Sequence, residues 1–248
     1  MSATIAMTII VAWLLFAVPW LGRQAFRKLL AALDSGDPEA RVGSYKRVIW
    51  QNCFLVLIVL LVSKLCQWTE PQLGFVWPHL TGQIPMTVIY VATAAIFGIA
   101  LLGLAARRRQ VAQPGADAPR TRLAHSRRML PQSPGERGWF VVLAIAVGIG
   151  EEIVWRGFGL CVLFACNLHG PATVLIAVLA LAFGWAHLYQ GVGGVIVTAI
   201  LGAWFAALYL ATGSLLVPII LHILFILRFL LARPEPGASW SLQGGGSR

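Results

Sequence analysis

The stretch GIGEEIVWRGFGL, residues 148–160, sets Glu151, Glu152 and Arg156 inside an apolar run that extends from 139 to 166. A run of that length and composition belongs in hydrocarbon, where a charge at the bilayer centre costs between about 2.5 and about 17 kcal/mol, depending on how the cost is measured. Charges in such a place need partners or a purpose. Glu152 and Arg156 stand at i and i+4, so on a helix they share a face and can pair. Glu151 points about 100° further round the helix and must face something else. Two readings follow: a buried network that ties this helix to its neighbours, or a site built in the membrane.

The whole chain supports the membrane setting. It is 58% hydrophobic and 11% charged, with mean hydropathy +0.79, against about 25% charged residues in ordinary soluble domains. This composition indicates an all-α, polytopic membrane helix bundle. The net charge of +10 sits mostly in two loops, where it acts as a topology signal facing anionic lipid. No basic motif is interleaved with aromatics, so nucleic acid is not expected as a partner. Cys53, Cys66, Cys161 and Cys166 lie in apolar runs without CxxC spacing and read as small buried hydrophobes.

About seven transmembrane helices are expected, over 3–21, 48–68, 85–106, 139–166, 171–189, 192–212 and 214–232. The first lacks a basic n-region and an A-x-A cleavage site, so it reads as an uncleaved helix. The fourth is long enough to be tilted or broken. Segment 22–39 has the look of a short interfacial helix. Loops 22–47 and 107–138 are rich in Arg and Lys, whereas 69–84 has neither. Both basic loops are therefore expected in the cytoplasm, with the N-terminus outside and the C-terminus cytoplasmic. The prolines and glycines of QPGADAP and PQSPGE suggest a mobile middle for 107–138. The chain divides into an N-terminal three-helix region (1–138), a four-helix core (139–232) and a disordered tail (233–248). Nothing in it repeats in the manner of an inverted-repeat transporter.

Two further polar residues lie in apolar surroundings: His187 in FGWAHLYQG (183–191) and His222 in PIILHILFI (218–226). Two histidines and a free glutamate on three helices make a better case for a site than any one of them. In a hydrated pocket they can activate water for hydrolysis, and Glu with two His is also a known zinc set. Intramembrane Glu, Arg and His mark ion paths too, which leaves a proton-coupled carrier as a competing class. Side chains converging on one water would indicate a hydrolase, and a path open to both faces a carrier.

EEIVWRGF, FGWAHLYQG and LLVPIILHILF, in that order, resemble the three motifs of the CPBP family, which includes the type II CAAX-processing proteases and the bacteriocin-processing or Abi proteins. The pattern is E-E-x-x-x-R, then F-x-x-x-H, then H-x-x-x-Asn or Asp, and the resemblance covers about 139–230. It implies a metal-independent glutamic endopeptidase of the membrane, with no cofactor and a cavity open to the cytoplasm. Glu151 would match the carboxylate that activates the attacking water, and Glu152 with Arg156 the supporting pair. His187 would match the residue that orients the water, with Phe183 packed one turn before it. His222 would match an oxyanion-stabilising residue. The substrates implied are prenylated, leader or sorting-signal peptides anchored at the bilayer, in an inner or plasma membrane.

The pattern breaks at Ile226, four residues after His222, where Asn or Asp is usual. Either His222 alone, or another donor, serves the oxyanion, or the protein is an inactive relative acting as a membrane scaffold. Ile226 is expected to face the same cavity as His222. Asn52 and Asn167, the only asparagines in the chain, fall near span ends and offer no obvious substitute. At about 1.5 Å per residue, Glu151 and His222 come out level in the membrane, with His187 nearer the cytoplasm unless its helix ends early.

Overall fold

The computed structural model describes residues 2–112 and 128–231. The tail expected to be disordered (233–248) and the QPGADAP stretch expected to be mobile lie outside the described residues. Helix α1 runs over Ala3–Asp34, α2 over Ala40–Leu65, α3 over Met86–Ala112, α4 over Pro134–Ala165, α5 over Ala172–Ala186, α6 over Gly191–Thr212 and α7 over Leu216–Leu231. Among the described residues there is no strand. Five helical stretches, four of them α1 to α4 and the fifth α6 with the turn at its head (Leu188–Thr212), are long and apolar enough to cross a bilayer, and α5 and α7 are shorter apolar helices. Each expected span falls mostly on one of these helices, with shifted ends.

The first helix corrects one expectation. Residues 22–34 are not a separate interfacial helix but the second half of α1. Pro19 has no N–H to give to the carbonyl four residues earlier, which would leave Leu15 unpaired in hydrocarbon. The indole N–H of Trp185 donates to that carbonyl at 2.7 Å, and a π-helical turn at Trp13–Ala17 adjusts the helix just before the proline. Beyond it, Phe26 packs on Tyr189 with ring centroids 5.7 Å apart. That packing holds the amphipathic half of α1 on the bundle.

Helix α2 begins at Ala40, not at 48. Its polar first turns are tied to the segment before α4. Arg41 pairs with Glu136 at 3.3 Å and donates through Nε to the Arg128 carbonyl at 2.8 Å, Tyr45 donates to the Met129 carbonyl, and Arg128 pairs with Asp34 at 2.6 Å. SPGE, expected to belong to a mobile loop, instead starts α4. Ser133 is the N-cap, Pro134 sits in the first turn, and Glu136 completes a reciprocal capping box.

At the other end, the loop between α2 and α3 folds over the junction of α6 and α7. His79 and Thr81 donate their backbone N–H groups to Thr212 and Ala211, and Leu215 donates to Gly74. The core packs α4 against α5, α6 and α2 around Val59, Val154, Phe158, Ala206 and Leu215. The outside is lined with Leu, Ile, Phe and Trp, including Phe16 and Trp50, as befits a surface facing lipid. Cys161 is buried, but Cys53 and Cys166 are exposed on that surface, contrary to the buried reading of all four cysteines.

Candidate active site

Helix α4 is interrupted where its charges lie: a π-helical turn occupies Ile153–Phe158, directly after Glu152. Single π turns inside α-helices recur at functional sites, because the extra residue re-aims the side chains around it. Glu152 and Arg156 are fully buried, and Arg156 Nη1 donates to Glu152 Oε1 at 3.0 Å. The i, i+4 pair expected from the sequence is present.

Three groups on α5 and α6 complete the surroundings of Arg156. Its Nη2 donates to the Gly202 carbonyl on α6 at 3.2 Å. Its guanidinium lies 4.5 Å from the Phe183 ring and 5.3 Å from the Phe205 ring. Cations over aromatic faces contribute about 2 kcal/mol or more when desolvated. Gly202 is what lets α5 and α6 close on this group, since a Cβ there would lie 3.0 Å from the Phe183 ring.

His222 adds a second bond to Glu152. Its Nδ1 lies 2.7 Å from Glu152 Oε1, and its ring stacks on Phe205 at 4.5 Å. A carboxylate already paired with Arg156 only accepts, so Nδ1 carries the proton, and Nε2 is directed to Glu151 Oε2 at 3.9 Å. Glu151 and His222 are thus level, as the depth estimate from the sequence required. Glu152 Oε2 and Arg156 Nε are buried with no hydrogen-bond partner among the described residues.

Glu151 is different from its neighbour. It is partly exposed, and together with His187 it lines a cavity of about 520 Å³ walled by α1, α2, α4 and the end of α5. His187 stands just after α5, which stops at Ala186. The early end anticipated from depth is what brings this imidazole to the cavity. His187 Nδ1 meets the Phe183 carbonyl at 2.8 Å. A carbonyl only accepts, so the proton is on Nδ1 and the lone pair of the neutral ring is on Nε2. Phe183 therefore fixes the tautomer as well as packing the ring.

Two sequence expectations change. Ile226 does not line the cavity, and His222 stands behind its wall, reaching it only through Glu151, with Nε2 3.9 Å from Glu151 Oε2. Helix α7 meets α4 at Gly148, where Ile223 packs, on the side of α4 turned away from α2 and so from the cavity wall that α2 supplies. Asn52, set aside in the sequence, does line it, with its amide packed on Gly150, the residue before Glu151. Sequence reading also missed Gly202 and Phe205, which carry no charge to draw attention. Among the described residues, no group of three or more His, Cys, Asp or Glu side chains is disposed to hold a metal ion.

The fold and its buried charges define an all-α integral membrane protein with a carboxylate–imidazole site inside the bundle. Residues 134–227 match the family model described as "Type II CAAX prenyl endopeptidase Rce1-like", consistent with the CPBP family. That segment runs from the first turn of α4 into α7 and contains Glu151, Glu152, Arg156, Phe183, His187, His222 and Ile226. No curated protein and no solved structure matches the chain.

Proposed function

We propose that this protein is an intramembrane endopeptidase that cleaves a peptide bond near the end of a membrane-associated protein or peptide, using water activated by Glu151. The observation that carries the reading is the division of labour between adjacent glutamates. Glu152 is buried and engaged by Arg156 and His222, whereas Glu151 is open to a cavity it shares with His187. The Rce1-like match supports the same class of chemistry.

In this mechanism Glu151 takes a proton from the water as its oxygen adds to the scissile carbonyl carbon. The lone pair on His187 Nε2 accepts the water's other hydrogen and orients it. His222, with Nδ1 held by Glu152, donates through Nε2 only as the imidazolium, and in that form it stabilises the oxyanion. Glu151 then returns the proton to the leaving nitrogen as the C–N bond breaks. The apolar wall from Ile10, Leu14, Phe26, Phe54 and Ile58 suits the lipidic part of an anchored or prenylated substrate. The cavity is lined at one end by Leu29, Ser44 and Met129, next to the basic segments. By the charge rule that end faces the cytoplasm.

The carrier reading is disfavoured because no residue of the 66–85 loop, at the opposite end, contributes to the cavity. Although Ile226 stands outside the cavity wall, its departure from the family pattern keeps a second reading, an inactive relative that binds without cleaving. Candidate substrates co-expressed with wild type or Glu151→Gln decide between them. Cleavage by wild type alone supports the endopeptidase, and equal processing by both removes Glu151 from the mechanism. Retention of a partner without cleavage by either protein leaves the scaffold.

A further inference from the structure

We infer that Asn52 on α2 is a further member of this site, the side-chain amide that donates a hydrogen bond to the scissile carbonyl where Ile226 has none to give. The inference rests on the endopeptidase reading above and concerns how its transition state is held.

Asn52 is half-buried and lines the same cavity as Glu151 and His187. Its Nδ2 donates to the Ala146 carbonyl on α4 at 2.5 Å. An amide nitrogen has two N–H groups, and neither the second one nor Oδ1 meets another described residue. The first bond fixes the amide plane and leaves the other N–H pre-oriented, as a donor to developing charge has to be. The other polar side chains of the wall are less suited. Gln51 is exposed, Ser44 lies two turns nearer the end of α2, and the Tyr189 hydroxyl, which accepts from Gln190 Nε2, has no bond to α4 among the described residues that would fix where its own O–H points.

Gly150, the residue before Glu151, is what admits this amide. A Cβ at 150 would lie within 2.7 Å of Asn52 Cγ, so any side chain there displaces the amide. The helical wheel of α4 then orders the groups. Helix α2 approaches at Ala146 and Gly150 and α7 at Gly148, and Glu151 lies about 120° from the centre of the first face and about 60° from the second. A carbonyl held over Glu151 has Asn52 on one flank and His222 on the other. Amide hydrolysis concentrates negative charge on that oxygen, and two donors are better than one.

The test uses the full chain in detergent with an internally quenched prenylated peptide, comparing wild type, Glu151→Gln, Asn52→Ala and Gly150→Ala. The folded fraction of each is measured by monodispersity and thermal unfolding. Asn52→Ala is expected to lower kcat per folded molecule by about 10²–10³-fold, with KM changed by less than about 3-fold and the pH profile unmoved. Gly150→Ala, which keeps the amide but displaces it, is expected to fall between. A purely structural tether would lower the folded fraction and leave kcat of the folded molecules intact, and that result overturns the inference. Wild-type kcat in Asn52→Ala, with Glu151→Gln inactive, overturns the role of Asn52 while the endopeptidase reading stands. Indistinguishable wild type and Glu151→Gln overturn both.

Discussion

Replacing Arg156 by Met removes a guanidinium that bonds Glu152 and the Gly202 carbonyl and lies between the rings of Phe183 and Phe205. Met fills much of the same volume, so the loss is chiefly electrostatic. It leaves the Glu152 carboxylate fully buried with His222 as its remaining partner. Stranding one member of a buried ion pair costs about 3–5 kcal/mol. For a chain of this size each kcal/mol moves the thermal midpoint by about 2–4 °C, so a fall of about 6–20 °C is expected. Thermal unfolding in detergent, followed by tryptophan fluorescence, reads it directly. The double variant Glu152→Gln with Arg156→Met removes both charges and lets Gln accept from His222. It is expected to recover to within about 2 kcal/mol of wild type, because neutral pairs of similar shape replace buried ion pairs at little cost. A midpoint for Arg156→Met within about 2 °C of wild type would refute the view that Arg156 neutralises Glu152. So would a double variant less stable than the single one.

Glu151→Gln is expected to abolish cleavage while leaving the unfolding midpoint near that of wild type, since this carboxylate faces the cavity and is not part of the buried pair. His222→Ala should reduce cleavage by about 10²–10³-fold, whereas Ile226→Asn, whose position is outside the cavity wall, should leave kcat/KM unchanged; both are read in the quenched-peptide assay. Trp185→Phe strips the donor from the Leu15 carbonyl and should cost about 1 kcal/mol. Adding Pro19→Ala to it supplies a backbone N–H for the same carbonyl and should recover that loss in the same unfolding experiment.

The helices were legible because each is an unbroken apolar stretch, and the pairing of Glu152 with Arg156 because i, i+4 spacing survives the π turn that follows Glu152. The errors have local causes. The apolar run in α2 begins at Val48, but the helix starts at Ala40, where Arg41 is held by Glu136 and the Arg128 carbonyl and where Lys46 and Arg47 are exposed. Counted from Ala40, Asn52 lies about 18 Å along the helix, well inside it. The SPGE cap was readable from its spacing, yet its Pro and Gly gave the stronger impression of a loop. Ile226 does share a helix face with His222, but helical spacing cannot say which neighbour that face meets. The rescue of the Leu15 carbonyl by Trp185 joins residues on two helices, and no local pattern announces it.

The π turn in α4 has a consequence for how such a site arises and is lost. It is one residue of surplus in an otherwise regular helix, so everything after Phe158 is out of phase with everything before Ile153 by about 100° relative to an uninterrupted α-helix. Removing a single codon between 153 and 158 would restore regular winding, keep the span hydrophobic and still let it insert. It would also swing the second half of α4 by that angle and part Arg156 from either Glu152 or its aromatic neighbours. Point substitutions wear down a constellation of this kind one contact at a time. An in-frame deletion of three nucleotides dismantles it at once, in a protein that still reaches the membrane.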